Sequence, residues 1–117
     1  MKASIDAWTK GAPLREGRVT FDVPPLVDNG NLVSVTAKVD SPMTAADHAR
    51  EIAIFNDGNP LPEIVRFELS PRNGRAEVSI GIRLSATQNL IAAARMSDGS
   101  FWHQRVEVIV VLAACIE

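Results

Sequence analysis

The side chains of this 117-residue chain that could do chemistry are few, and its single cysteine is the most distinctive of them. Cys115 lies third from the last residue, after the run VEVIVVLAA. An accessible thiolate at such a position is a nucleophile and can hold sulfur covalently. A buried cysteine would instead act as a small hydrophobic residue that continues the strand. Both interpretations stay open on the residues alone. A lone cysteine forms no internal disulfide, so the fold must be stable without one.

The remaining ionisable residues give no sign of a catalytic centre. His48 and His103 are too few for a metal site, and the sequence shows neither metal-ligand spacing nor a glycine-rich phosphate loop. His103 is interpreted as a partly exposed strand residue. Asp57 and Glu63 flank a proline-containing turn, where carboxylates usually cap or solvate backbone groups. The sequence therefore predicts a protein that is not an enzyme and holds no metal or resident cofactor.

Composition and charge narrow the classes of partner. Twelve Lys and Arg against fourteen Asp and Glu give a formal net charge of -2, and the basic residues form no stripe along the chain. Nucleic acid is therefore not an expected partner. No stretch approaches the roughly 18 apolar residues that a membrane helix needs. No apolar signal-peptide core follows Met1, so an exported protein would be seen here in its mature form.

Alternating apolar and polar residues predict strands for most of the chain. In LVSVTAKV, Val33, Val35, Ala37 and Val39 point to one side, and RAEVSIGIRL repeats this pattern. The predicted strands are residues 19–23, 33–39, 52–55, 65–69, 76–84, 90–96 and 102–112. The dipeptides Asn73-Gly74 and Asp98-Gly99 are predicted hairpin turns. Helical character is expected only at residues 5–10 and in a turn within 41–49.

This pattern predicts an all-β fold, an immunoglobulin-like antiparallel β-sandwich of about seven strands. We expect residues 1–117 to form one domain. A short helical or irregular segment, residues 1–18, would precede the sandwich, and a tail, residues 113–117, would follow it.

Several motifs, taken in order, resemble the SoxY family of sulfur carriers from the bacterial thiosulfate-oxidising system. They are VPPLVDNGNLVSVTAKVDSPM, IAIFNDGNPLPEIVRFELSP, NGRAEVSIGIRLSATQNLIAAARMSDGS and the near-terminal cysteine. The resemblance implies a periplasmic protein that pairs with the sister subunit SoxZ and meets other Sox enzymes transiently. It also implies that Cys115 holds sulfur intermediates as a covalent adduct and needs no other cofactor.

The tail departs from the family pattern, in which glycines flank the cysteine on both sides. Here the carrier arm consists of Ala113, Ala114, Cys115, Ile116 and Glu117. Alanines allow the backbone fewer conformations than glycines do, so the arm is expected to be stiffer. The negative charge of Glu117 and the terminal carboxylate is expected to disfavour the thiolate and repel anionic thiosulfate. The alternative function is therefore a divergent SoxY-like interaction or scaffold module without carrier activity, which could exist as a disulfide-linked dimer.

The last predicted strand carries apolar residues on both faces. Val106, Val108, Val110 and Leu112 form one face, whereas Ile109 and Val111 lie on the other. A strand with two apolar faces needs cover on both sides. The sequence therefore predicts a partner at this strand, either a SoxZ-like subunit or a second copy of the chain.

Overall fold

The fold is built from nine strands and one α-helix within residues 1–58 and 63–112, which are the residues that the computed structural model describes. The helix is α1 (Lys2–Thr9), and a 3-10 helix covers Pro71–Asn73. The strands are β1 (Leu14–Glu16), β2 (Val19–Asp22), β3 (Leu26–Asn29), β4 (Val33–Val39), β5 (Ala49–Asn56), β6 (Glu63–Glu68), β7 (Glu77–Ile82), β8 (Gln88–Met96) and β9 (Phe101–Leu112).

The strands form two sheets, which confirms the predicted β-sandwich. The larger sheet has the order β1-β9-β8-β5-β6, and β3 also pairs with β9. The smaller sheet has the order β2-β4-β7. Most pairs are antiparallel, but β1 and β3 run parallel to β9 and share its outer edge, β1 beside its start and β3 beside its end. These two short strands were not predicted, and they account for the difference from the expected seven.

The main core lies between the sheets, as the alternation predicted. Val33, Val35, Ala37 and Val39 of β4 are all buried, whereas Ser34 and Lys38 are exposed. Opposite them, β5 and β8 contribute large buried side chains, among them Ile52, Ile54, Leu90 and Met96. Burial of this apolar surface is the main force that holds the two layers together.

Helix α1 covers the other face of the larger sheet. Ile5 and Trp8 are three residues apart, so they lie on the same side of the helix, and both are buried against the sheet. The Trp8 ring meets Phe101 edge to face, with centroids 4.9 Å apart. The helix ends where Lys10 adopts a left-handed conformation, with φ of 55°. Residues 1–18 therefore contain helix α1 and also contribute strand β1.

The predicted helical turn within residues 41–49 is wrong. The Ser41 hydroxyl accepts a hydrogen bond from the Met43 amide, and the Thr44 hydroxyl accepts one from the Asp47 amide. Short polar side chains that bond to nearby backbone in this way compete with helix formation. The segment is irregular, and strand β5 begins at Ala49.

Only one of the two predicted hairpin turns forms. Asp98-Gly99 does connect the antiparallel strands β8 and β9, and Gly99 has a positive φ of 86°. Asn73-Gly74 does not form a hairpin, because β6 and β7 belong to different sheets. The chain crosses between the sheets here through the 3-10 helix Pro71–Asn73, and the left-handed Gly74 ends that helix.

Candidate functional site

The candidate site is the end of the sandwich from which the tail departs. The predicted carrier residue Cys115 and the arm residues Ala113, Ala114, Ile116 and Glu117 lie outside the described residues. The structure does describe strand β9, which leads to them, through Leu112. The site is therefore built from the residues that hold the end of this strand.

Strand β3 fixes the last residues of β9 on one side. Leu26 pairs with Ile109, Val27 with Val110 and Asn29 with Leu112. The Ile109 amide also donates a hydrogen bond of 2.9 Å to the Pro25 carbonyl oxygen. The register with β3 thus fixes the position of the last described residues of β9 at the edge of the sheet.

On the other side of β9 a side chain takes the place of a strand. Strand β8 begins at Gln88, opposite Val108, so the later residues of β9 have no partner in β8. The Thr87 hydroxyl lies next to them and accepts a hydrogen bond of 2.9 Å from the Val110 amide. One hydroxyl therefore supports the strand just before the tail.

The loop that contains Thr87 is locked to the end of β5. Gln88 is buried, and its Oε1 accepts a hydrogen bond of 3.1 Å from the Gly58 amide. The Ser85 hydroxyl donates to the Gly58 carbonyl oxygen at 2.9 Å. A Cβ at Gly58 would lie only 2.8 Å from the Cβ of Gln88, so this close approach requires glycine. We call Asp57, Gly58, Thr87, Gln88 and Asn89 the tail-base cluster.

Asp57 completes the tail-base cluster. Its carboxylate accepts hydrogen bonds from the Asn89 amide at 2.8 Å and from the Asn89 side-chain Nδ2 at 3.0 Å. Burial opposes ionisation of the carboxyl group, but these hydrogen bonds and the positive charge of Arg105 outweigh it, so the pKa of Asp57 lies below its usual value. Asp57 caps backbone, as the sequence predicted for a carboxylate beside a turn.

Three of the sequence motifs meet at this end of the molecule. The segment DNGN closes β3, FNDG closes β5, and TQN opens β8. The DNGN segment is also joined to the loop between β7 and β8 that leads into TQN. The Leu84 amide at the start of that loop donates a hydrogen bond of 2.8 Å to the Gly30 carbonyl oxygen. The SPM and SDG motifs lie at the opposite end, before β5 and between β8 and β9. The sequence did not indicate that Thr87 binds Val110 or that Gln88 binds Gly58, because these contacts join segments that are distant in sequence.

The two faces of β9 differ as the sequence pattern predicts. Val108 is fully buried, and Val106 and Val110 are half-buried against the core. On the opposite face Ile109 is 49% exposed and Val111 is 69% exposed, and the neighbouring Leu26 of β3 is 58% exposed. The side chain of Leu112, which the sequence places on the same face as Val110, is not among those that the structure describes. Leu26, Ile109 and Val111 form an exposed apolar patch, which we call the β3–β9 patch.

The other residues singled out from the sequence have structural contacts. Nδ1 of His103 lies 3.0 Å from the Arg15 carbonyl oxygen, and Nδ1 of His48 lies 3.0 Å from that of Thr44. Glu63 forms a two-pronged ion pair with Arg66. Residues 1–58 and 63–112 contain no group of three or more His, Cys, Asp or Glu arranged to hold a metal ion. The same ranges contain no helix long and apolar enough to span a membrane.

The chain matches a model of a known protein family. The family model described as sulfur oxidation protein SoxY matches residues 5–115. No curated protein sequence matches the chain. Among solved structures, the sulfur carrier protein SoxY from Chlorobium limicola f thiosulfatophilum is 28% identical, with a TM-score of 0.78 over 92% of this chain and 89% of that one.

Other similar structures share the fold alone. The superoxide reductase (neelaredoxin) from Ignicoccus hospitalis is 21% identical, with a TM-score of 0.70 over 80% of each chain. The superoxide reductase from Nanoarchaeum equitans is 14% identical, with a TM-score of 0.69 over 82% of this chain and all of that one. Similarity at these identities does not carry an activity over to this chain.

Proposed function

This chain belongs to the SoxY family of sulfur oxidation proteins, and from that membership we propose that it is a periplasmic carrier that holds sulfur compounds covalently on Cys115. The observation that carries the proposal is the extent of the family match, which runs to residue 115 and so includes the cysteine itself. The carrier is not an enzyme: it supplies the thiol, and partner enzymes act on what the thiol holds.

The chemistry of loading defines what the chain must provide. Forming an S–S bond between a thiol and a sulfur compound such as thiosulfate releases a proton and two electrons. The enzyme that loads the carrier must accept both electrons, because the thiolate is only the nucleophile. The requirement on this chain is therefore an accessible thiol that can enter the active site of another protein.

The tail-base cluster supports this role through position. Three residue steps separate Leu112 from Cys115, and an extended chain covers about 10 Å in three steps. A partner enzyme must therefore bring its active site close to the end of β9. The hydrogen bond from Val110 to Thr87 and the pairing of β9 with β3 would present the arm in one direction.

The β3–β9 patch supports the proposal of a partner subunit. Leu26 and Ile109 are directly paired neighbours in adjacent strands, and Val111 lies on the same face two residues further along. Exposed apolar side chains that adjoin one another are typical of interaction surfaces. We propose that a SoxZ-like subunit or a second copy of this chain covers the patch, and that the other Sox enzymes bind only transiently.

The residues around Cys115 favour one alternative. Alanines precede the cysteine, and Ile116 and Glu117 follow it, where the family pattern has glycines on both sides. In the alternative, the chain keeps the sandwich and the partner surface but serves as a scaffold without carrier activity, either with an unused thiol or as a disulfide-linked dimer.

Labelling of the thiol in the native protein tests the carrier proposal against a buried cysteine. We expect a maleimide reagent to modify Cys115 completely without denaturant, because a carrier thiol must be exposed. We also expect Cys115→Ala to leave the free energy of unfolding almost unchanged. Slow labelling of the native protein, together with a large loss of stability in Cys115→Ala, would exclude the carrier role.

A further inference from the structure

A hollow with chemical character lies at the end of the molecule where β9 begins, opposite the end where Leu112 lies. It has a volume of about 440 Å³ and is situated between the C-terminal end of α1 and the β8–β9 hairpin. The β9 strand runs from this hairpin to the tail, and its eleven residue steps span roughly 36 Å at about 3.3 Å per step. We call this space the helix-end hollow.

Three cationic side chains line the helix-end hollow. They are Lys10 at the end of α1, Arg50 in β5 and Arg95 in β8. Arg95 is paired with Glu51, whose Oε1 lies 3.1 Å from the arginine Nε. Lys10 and Arg50 make no ion pair with any residue in the described part of the chain. Two positive charges in the wall are therefore free to meet a ligand.

The negatively charged and carbonyl groups around the hollow already accept hydrogen bonds from the protein. Asp98, the one carboxylate in its lining, accepts hydrogen bonds from the Ser100 amide and the Ser100 hydroxyl. The carbonyl groups at the end of α1 would repel an anion, but two of them accept hydrogen bonds from the chain that follows. The Gly11 amide donates to Asp6, and the Ala12 amide donates to Thr9.

A buried donor without an acceptor also points to a ligand. Trp8 lines the helix-end hollow and is only 7% exposed. Its indole Nε1 is shielded from solvent and has no hydrogen-bond partner among the described residues. Buried polar groups in folded proteins are nearly always hydrogen-bonded, so an orphaned N–H calls for an acceptor. The indole N–H can only donate, which means that the missing partner must supply an oxygen or a comparable acceptor.

From these observations we propose that the helix-end hollow binds a small oxyanion of the sulfate or phosphate type. Arg50 presents a planar fork of donors that matches two oxygens of such an anion, and Lys10 adds a compact charge. The Trp8 ring forms part of the wall beside these charges, so its indole N–H reports on occupancy of the hollow. The Ser97 hydroxyl, which also lines the hollow, accepts from the His48 amide and keeps its own proton to donate. The site is independent of the carrier role and lies at the opposite end of β9 from Leu112.

Titration followed by NMR of the indole N–H groups tests the proposal directly. In ¹⁵N-labelled protein, sodium sulfate, phosphate or thiosulfate replaces sodium chloride at constant ionic strength, with perchlorate as the monoanionic comparison. We expect the Trp8 indole resonance to shift and saturate with the tetrahedral dianions. The Trp102 indole is the internal comparison, because its Nε1 already donates to the Ser100 hydroxyl and is linked to the hollow only through the Ser100–Asp98 hydrogen bond, so we expect a much smaller shift. The absence of a saturable Trp8 shift with every dianion would overturn the proposal.

Charge-removing variants separate a defined site from general attraction. We expect Lys10→Gln and Arg50→Gln each to weaken sulfate binding by about fivefold or more, since each removes a charged donor. Arg75→Gln is the matched control, because Arg75 pairs with Glu77 beside the smaller sheet and does not line the hollow. Equal weakening in all three variants would show nonspecific screening and overturn the site.

Discussion

At the scale of single residues, the contact between Gly58 and Gln88 holds the end of β5 against the start of β8. A methyl group at Gly58 would lie 2.8 Å from Gln88 Cβ, which is attached to a buried backbone and cannot move aside. We expect Gly58→Ala to lower the free energy of unfolding by about 1–3 kcal/mol, as overpacking does. Chemical denaturation provides the measurement.

Gly81→Ala is a matched control for this substitution. The new methyl group would also lie 2.8 Å from a neighbour, but that neighbour is the tip of Leu32, a side chain that is 75% exposed and free to rotate. We expect a change of less than about 0.5 kcal/mol, as for most surface substitutions. Similar losses in the two variants would contradict the importance of the Gly58–Gln88 contact.

The sequence allowed the type of role that Asp57 plays to be predicted, but not its partner. Carboxylates beside turns bind backbone amides through local chemistry, which is visible in the residue type alone. Asn89 donates to Asp57 from 32 residues away, and the Gly58 amide reaches Gln88 across 30 residues. Such contacts depend on which strands become neighbours, and no local pattern in the sequence encodes them.

At the scale of elements, β5 and β8 are buried on both faces because α1 covers the second one, so alternation identified only strands such as β4 that bury a single face. It failed for β1 and β3, which are three and four residues long and pair parallel with β9. Strands this short give too few alternating positions to recognise. The helical turn predicted within residues 41–49 is also absent, because the Ser41 and Thr44 hydroxyls accept hydrogen bonds from the Met43 and Asp47 amides in an irregular segment.

The end of β9 gives a prediction at this scale. Thr87→Val keeps the shape of the side chain but removes the hydroxyl, which accepts from the Val110 amide at 2.9 Å and donates a long 3.5 Å hydrogen bond to the Val110 carbonyl oxygen. Loss of one such bond costs about 0.5–1.5 kcal/mol. We therefore expect hydrogen exchange at Val110 to accelerate by roughly two- to tenfold. Thr87→Ser retains the hydroxyl and should exchange at close to the wild-type rate. Equal rates in Thr87→Val and wild type would show that the hydroxyl does not hold the strand.

At the scale of the whole molecule, the β3–β9 patch predicts an assembly. Leu26, Ile109 and Val111 expose apolar surface that a partner would bury. We expect sedimentation to detect a complex with a co-expressed SoxZ-like protein, or a dimer of this chain at high concentration. Ile109→Asp should weaken either assembly, whereas Glu107→Asp, on the same face of β9, should not. Sedimentation as a monomer throughout, with no binding to the SoxZ-like protein, would contradict this prediction.

The intact mass of the protein after exposure to thiosulfate and a loading enzyme system tests the carrier role most directly. We expect the wild-type chain to gain the mass of a sulfur-containing adduct, a reductant to remove the adduct, and Cys115→Ala to gain nothing. A wild-type protein that stays unmodified, or that forms only a reducible dimer of twice its mass, would contradict the carrier function and favour the scaffold.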